Sequence, residues 1–266
     1  MVGQEKILKQ LFSYNLDILP RTLLLIGESG CGKNTLIKEM SNHYNLNIVD
    51  ITDNIDNDLI NDIYLNSIPN IYVINLDFIN EKQQNVILKF IEEPLKNSFL
   101  MLKSSLETHL LDTIKNRCQI FRFDNYSAQE LIQFIPEKHI QNQSLITEIY
   151  RTPGKILKAN LDLIIPLYEL CCKIVDRISN ANLSNTLTIA DKLNYKDEYD
   201  KFDINDFITT MLLIIKDRYI NNNYNPVYYQ MMLITNDLNN KLRFDKLNRQ
   251  NLIKIYLIDI WRLFRD

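Results

Sequence analysis

The chain has 266 residues, enough for one large domain or two to three small ones. Hydrophobic residues make up 46% and charged residues 24%, the ordinary balance of a globular protein with a buried core. The formal net charge of −3 carries no overall basic field that would advertise nucleic acid, so DNA contact would have to come from a local patch or from partner chains.

No apolar run approaches the roughly 18 residues that suggest a bilayer span. The N-terminal stretch MVGQEKILKQL lacks the apolar centre of a signal peptide. A cytoplasmic protein with no membrane partner is the expectation. The four cysteines, Cys31, Cys118, Cys171 and Cys172, form no CxxC pair and no zinc-ligand spacing, and they read as reduced thiols.

Taken in order, EKILKQLFSYNL (5–16) has helical apolar spacing, and RTLLLIG (21–27) is a short apolar run ended by glycine, the pattern of a buried parallel strand. KNTLIKEMSNHY (33–44) follows as a helix and LNIVDIT (46–52) as a second strand. DNDLINDIYLNSI (56–68) fits a helix with Asp near its start. IYVINLD (71–77) is a third strand, and EKQQNVILKFIEE (81–93) is a helix closed by Pro94. SFLMLKS (98–104) and QIFRFD (119–124) supply two more strands. Strands interleaved with helices predict a parallel sheet covered on both faces. After Asp124 only helical patterns remain, first in a small unit over 125–163 and then over 164–266. The predicted domains are thus an α/β domain over 1–124, a small helical domain over 125–163 and an all-helical domain over 164–266.

The strongest chemical signal is GESGCGKNT, residues 27–35, with the spacing G-x-x-x-x-G-K between a predicted strand and a predicted helix. Three of the five glycines in the chain fall here. Glycines let backbone N–H groups converge on phosphate oxygens, and the helix N-terminus adds positive potential. The expected cradle for a nucleotide's phosphates is Gly27, Ser29, Gly30, Cys31, Gly32, Lys33, Asn34 and Thr35, with Lys33 reaching the outer phosphates. Asn34 departs from the pattern, because this position normally gives a Ser or Thr hydroxyl to Mg²⁺. An amide oxygen can accept a metal but is neutral and longer, and Thr35 points about 100° away on the helix. Phosphate binding with at most weak Mg²⁺ coordination through Asn34, and no other metal ligand, is the expectation. Between Thr35 and Ile71 there is no Cys and only His43, so nothing there can hold a structural zinc.

A nucleotide-hydrolysing site also needs a strand of apolar residues ending in Asp-Glu. Here the strand ends IYVINLDFIN, where Asp77 is the one carboxylate near the end and no Glu follows to activate water. Asp77 reads either as a metal-side acid or as a turn residue before the helix at 81. Arg117, in TIKNRCQIFRF (113–123), stands at the end of a predicted helix just before a strand. It reads as a surface cation in a lone enzyme, or as an arginine finger projecting into a neighbour's site in a ring-forming ATPase.

Taken together, these stretches resemble the clamp-loader subunits of the AAA+ class, most of all the delta-prime type of bacterial DNA polymerase III. VGQEKI is similar to the family's opening Gly-Gln motif, and LPRTLLLIGESGCGK to its phosphate-loop stretch. INLDFINEKQQNVILKFIEEP (74–94) resembles the Asn-Ala-Asp, Gln-Asn-x-Leu-Leu-Lys and Glu-Glu-Pro signature. NRCQIFRF is similar to the Ser-Arg-Cys segment carrying the finger, with Asn116 in place of Ser, and RTPGKILKA (151–159) to the sensor-2 helix of the lid. The resemblance covers about 1–163 by motif; beyond that the helical pattern suits the family's collar domain.

The resemblance implies an AAA+ domain, a lid and an oligomerising collar, with other clamp-loader subunits, a sliding clamp and primed DNA as partners. It also makes the departures informative. The zinc-binding insertion of bacterial relatives is missing, Asn75 and Leu76 stand near the acidic pair as a degenerate Walker B element with Asp77, and Gly154 falls where an active subunit carries a sensor-2 Arg, with Lys155 next. The implied protein binds ATP or ADP, hydrolyses it weakly or not at all, and lends Arg117 in trans. Two readings compete with it. One is a stand-alone P-loop ATPase or kinase, disfavoured because residues 35–115 contain no Arg for a kinase lid. The other is an adaptor with a vestigial fold, disfavoured by the intact GxxxxGK.

Overall fold

The computed structural model describes residues 3–14, 18–66, 68–93, 98–108, 110–180, 182, 184–185, 188, 202–244 and 249–265. The chain divides into two compact units, Met1–Pro136 with Tyr150–Lys158, and Glu137–Ile149 with Ala159–Asp266.

The first unit is built on five parallel strands: β1 (Thr22–Ile26), β2 (Asn47–Asp50), β3 (Asn70–Asn75), β4 (Phe99–Ser104) and β5 (Gln119–Arg122), in the order β2-β3-β4-β1-β5. Strands β1, β3 and β4 are buried almost throughout, with apolar runs at their centres, because both faces are covered. Edge strand β2, NIVD, is largely exposed. Alternation along β1 splits the core. Leu23 and Leu25 pack with Leu36, Ile37 and Met40 of α2 (Lys33–Tyr44) and with Ile7 and Leu11 of α1 (Glu5–Phe12). Leu24 and Ile26 pack on the other face with Ile60 and Ile63 of α3 (Asn57–Leu65) and Ile87, Phe90 and Ile91 of α4 (Glu81–Glu92).

The ends of these helices follow from local chemistry. The Asp56 side chain accepts from the Leu59 amide at 2.8 Å and starts α3, while Asn80 and Gln83 form a reciprocal capping box at the start of α4. Helix α2 closes at Asn45, whose φ of 53° is left-handed, as a C-terminal cap requires. Pro94, expected to close α4, and Asn15 and Leu16, expected to extend α1, lie outside the described residues; α1 ends at Phe12. Three short helices complete the unit: α5 (Asp112–Lys115), α6 (Ala128–Ile132) and α8 (Pro153–Lys158).

The described residues of the second unit form helices joined by turns, with no strand among them: α7 (Gln143–Ile149), α9 (Ile164–Arg177), α10 (Ile204–Asn221), α11 (Pro226–Phe244) and α12 (Arg249–Arg262). Leu167, Cys171, Ile174, Val175 and Ile178 recur at helical spacing and meet Phe207, Ile208, Met211, Ile214 and Ile215 of α10. Pro166 sits in the first turn of α9, where its missing N–H costs no helical bond. Arg218 ties α10 to α9 through paired bonds to Asp176, at 3.0 and 3.2 Å. No helix of the described residues is long and apolar enough to cross a membrane.

Within this helical core the Thr235 hydroxyl is bonded to the Met231 carbonyl at 2.7 Å and lies 3.0 Å from the Tyr256 hydroxyl. Both residues are buried, and burial pushes the Tyr256 phenol well above its ordinary range. Thr235→Val strands a buried phenol and is expected to destabilise the helical unit by about 1–3 kcal/mol, whereas Tyr256→Phe leaves Thr235 its carbonyl and costs about 1 kcal/mol or less. Equilibrium urea denaturation of the two variants checks the order; an equal or reversed cost contradicts this account.

Candidate functional site

The candidate site lies at the carboxyl ends of the central strands, where open α/β sheets take their ligands. The chain leaves β1 at Gly27, turns through Gly30 (φ 84°) and Gly32 (φ 109°), and enters α2 at Lys33. Positive φ at these two positions is what glycine permits cheaply. A side chain at Gly27 would collide with Phe123 at 2.7 Å and with Cys31 at 2.8 Å, so this glycine answers to space.

Nearly every carbonyl of the loop is tied back by the chain itself. Lys33 Nζ donates to the Gly27 carbonyl and, at 3.1 Å, to that of Glu28. Thr152 Oγ1 donates to the Ser29 carbonyl at 2.8 Å, the Gly154 amide to that of Gly30 at 3.0 Å, and Tyr126 Oη to that of Cys31 at 2.8 Å. By contrast, the amides of Glu28, Ser29, Gly30, Gly32, Lys33, Asn34 and Thr35 find no acceptor among the described residues. A run of free amides at the start of a 12-residue helix is an anion-binding arrangement. Cys31 is buried beneath the loop, and burial raises its thiol against the lowering pull of Lys33, so it is a packing group.

The structure gives the Gly-Gln motif and the RTPGK stretch concrete tasks. The Gln4 side chain, 2% exposed, reads both backbone groups of Asp124: its Nε2 donates to the carbonyl at 2.9 Å and its Oε1 accepts from the amide at 3.1 Å. This pins the start of the chain beside the exit of β5, next to Tyr126. Gly154 stands against Gly30 with no room between the backbones; a Cβ on Gly154 would lie 2.7 Å from Gly30 Cα. Lys155 pairs with Glu28. The position expected to carry a charge-sensing Arg therefore serves as a backbone contact, with a lysine beside it held by the loop.

Asn75 and Asp77 come together at the end of β3, in a short turn. Asn75 Oδ1 accepts from the Asp77 amide at 3.2 Å. The Asp77 carboxylate accepts from Ser104 Oγ at 2.9 Å and, through both oxygens, from the Ser105 amide at 2.9 and 3.0 Å. Asp77 thus staples the end of β3 to the end of β4. Asn34 is engaged as well: its Oδ1 accepts from Lys103 Nζ at 3.1 Å, and Lys103 also pairs with Asp50 Oδ2 at 3.8 Å. Asp50 in turn accepts from Thr52 Oγ1 at 2.6 Å and from the Thr52 amide at 3.1 Å. Lys103, Asp50 and Thr52 did not stand out in the sequence.

A magnesium ion at a phosphate loop takes hard, preferably anionic oxygens in octahedral geometry. Here an ammonium stands on the residue at the metal position, its β3 neighbour is a neutral amide, and Asp50 and Asp77 are each held by protein donors. These residues do not fit the ion. No cluster of three or more His, Cys, Asp or Glu among the described residues is placed to hold a metal.

Arg117 lies apart from the loop's bonding network, just after α5. Its Nε pairs with Glu92 Oε1 at 2.9 Å at the end of α4, and Nη1 donates to the Thr113 carbonyl at 3.1 Å. The side chain remains 41% exposed. The ILKFIEEP and NRCQIFRF stretches, read separately in the sequence, are joined by this pair. Next to it, burial pushes the Cys118 thiol up to about 12, leaving it unreactive at neutral pH.

The fold and the loop define a P-loop α/β domain, a parallel sheet covered on both faces with a phosphate loop between β1 and α2. A DNA polymerase III gamma-subunit-related protein from Thermotoga maritima superposes over 98% of this chain and 100% of its own, at a TM-score of 0.56 and 14% identity. A point mutant of RuvB from the same organism covers 82% of this chain and 77% of its own, at a TM-score of 0.51 and 18% identity. At these identities the likeness is one of fold. The sequence comparisons go further and agree with the motif resemblance to DNA polymerase III clamp-loader subunits. Residues 47–127 match the family described as DNA polymerase III, delta subunit. The chain is 28% identical over 90 residues to the DNA polymerase III subunit delta' of Haemophilus influenzae, a match spanning 34% of this chain and 28% of that protein.

Gly154→Ala is expected to push the 150–158 segment off the loop, at a cost of about 1–3 kcal/mol for a side chain forced into closed packing. Hydrogen exchange should show faster exchange of the Gly154 and Lys155 amides than in wild type. Unchanged exchange would mean the two glycines are not in contact in solution.

Proposed function

We propose that this chain is a subunit of a DNA polymerase III-type clamp loader that holds ATP or ADP in the loop 27–35, hydrolyses it weakly or not at all, and supplies Arg117 to a neighbouring ATPase subunit while a sliding clamp is loaded on primed DNA. In this reading residues 1–124 are the nucleotide-binding domain, 125–163 the lid and 164–266 the oligomerising collar. The protein works in the cytoplasm, and its DNA contacts, made within the assembly, are mainly to phosphate and salt-dependent.

The observation that carries the nucleotide half is the row of acceptor-free amides around Gly30 and Gly32, beside a lysine whose head already lies in the loop. Weak hydrolysis is supported by the state of the acidic position: Asn75 is neutral and Asp77 is spent on Ser104 and Ser105. The finger role is supported by exposure and anchoring together. Glu92 and the Thr113 carbonyl hold the Arg117 guanidinium by Nε and Nη1, while the side chain stays 41% exposed. The competing reading, a stand-alone ATPase or kinase, calls for steady turnover by the isolated monomer.

Two measurements test the proposal. Titration with a fluorescent ADP or ATP analogue should give saturable binding to wild type and a loss of at least about tenfold in affinity for Lys33→Ala, as expected when a charge-assisted phosphate contact is removed. In an assembly reconstituted with its ATPase subunits, clamp and primed DNA, Arg117→Ala should lower turnover at the adjoining site by about 10³-fold, the lower end for an arginine finger, while leaving nucleotide binding by this chain intact. Unchanged assembly turnover would remove the finger role, and brisk hydrolysis by the monomer would favour the competing reading.

A further inference from the structure

Lys103 is the least expected group in the site. Strand β4 presents Phe99 and Met101 to the α2 face of the sheet, and alternation makes Lys103 the next rung on that face. In register it lies between Leu25 of β1 and Asn75 of β3. Lysine is almost never this buried unless paired, yet Lys103 is 9% exposed at the end of a central strand. Its ammonium is fixed from two sides, by Asn34 Oδ1 at 3.1 Å and by Asp50 Oδ2 at 3.8 Å, and Asp50 is itself held by Thr52. Thr52 Oγ1 also accepts from the Asn75 amide at 2.9 Å, so the ends of β2, β3 and β4 and the start of α2 share one network.

We propose that Lys103 supplies, as a fixed ammonium, the positive charge that a divalent cation supplies at other phosphate loops, so that this site takes a nucleoside di- or triphosphate without metal. The inference rests on the nucleotide reading above. Three features carry it. The ammonium is hydrogen-bonded to the side chain at the metal position, so it already occupies the coordination that Mg²⁺ would need. The position on β3 that would offer an anionic ligand carries the neutral Asn75, so a dication beside Lys103 would lack that ligand to offset their repulsion. And the ammonium is held in place before any ligand arrives, which lowers the ordering cost of meeting a phosphate. With Lys33 it gives the cleft two cations, and among the described residues only the half-exposed Asp50 is paired with the second.

The experiment is a titration of the full chain with a fluorescent ADP analogue in Mg²⁺ and in EDTA at matched ionic strength. Wild type is expected to bind with affinities within about twofold of each other in the two buffers. Lys103→Met keeps the apolar stem and removes the charge; it is expected to weaken metal-free binding by about tenfold, as for loss of one charge-assisted contact. Lys103→Glu is expected to bind only when Mg²⁺ is present. Wild-type binding at least about tenfold tighter in Mg²⁺ than in EDTA, a full unit of log affinity, would overturn the inference while leaving the nucleotide pocket standing. Absence of binding in both buffers would instead remove the nucleotide reading itself, and this inference with it. Because the wild-type comparison needs no variant, a folding defect in either substitution leaves the test intact.

Discussion

The site depends on one constraint, the capture of the loop's carbonyls by groups elsewhere in the chain. A backbone turning through Gly30 and Gly32 offers as many carbonyls as amides, and a loop that presented both would repel a phosphate as much as attract it. Here Thr152, Gly154 and Tyr126 take the carbonyls of Ser29, Gly30 and Cys31, and Lys33 takes those of Gly27 and Glu28. What remains is a concentration of N–H groups at the positive end of α2. The tie-back also explains why Gly154 and Gly30 are both glycine: the backbones must touch for the Gly154 amide to reach its acceptor.

The sheet then decides which side chains reach this loop. Period-two alternation commits Phe99, Met101 and Lys103 to one face, and Ile71, Val73 and Asn75 to the same face on the next strand. Two of these three-residue rows end in polar groups where the strands run out from under α2. Those ends are where chemistry can be placed without burying an unpaired polar atom. The chain places an amide and an ammonium there in a region with Asp50 as its counterion.

Much of this was legible because it is local. The GxxxxGK loop, the boundaries of α2 at Lys33 and Tyr44, the buried runs of β1, β3 and β4, and the Asp56 cap all lie within a few residues of the signal that announces them. The resemblance to clamp-loader subunits was legible for the same reason, since its motifs are short and contiguous. What was not legible is pairing at distance. Lys103 meets Asn34 across 69 residues, Tyr126 meets Cys31 across 95, and Thr152 meets Ser29 across 123. A lysine after four apolar residues reads as the end of a strand, and nothing local says that it turns inward. Asp77 shows the converse: two readings were open in the sequence, and its bonds to Ser104 and Ser105 settle only what it touches, a turn between strand ends.

Lys103 and Arg117 are placed in opposite senses. Lys103 is sunk to 9% exposure and clamped by two acceptors, a group that cannot move far and so can act only on what enters the loop beside it. Arg117 is anchored at one edge by Glu92 and stays 41% exposed, outside the loop's bonding network. A cation meant for its own cleft benefits from burial, because the lower effective dielectric strengthens its pull on a phosphate. A cation at the surface, as Arg117 is, interacts more weakly because water and salt screen it.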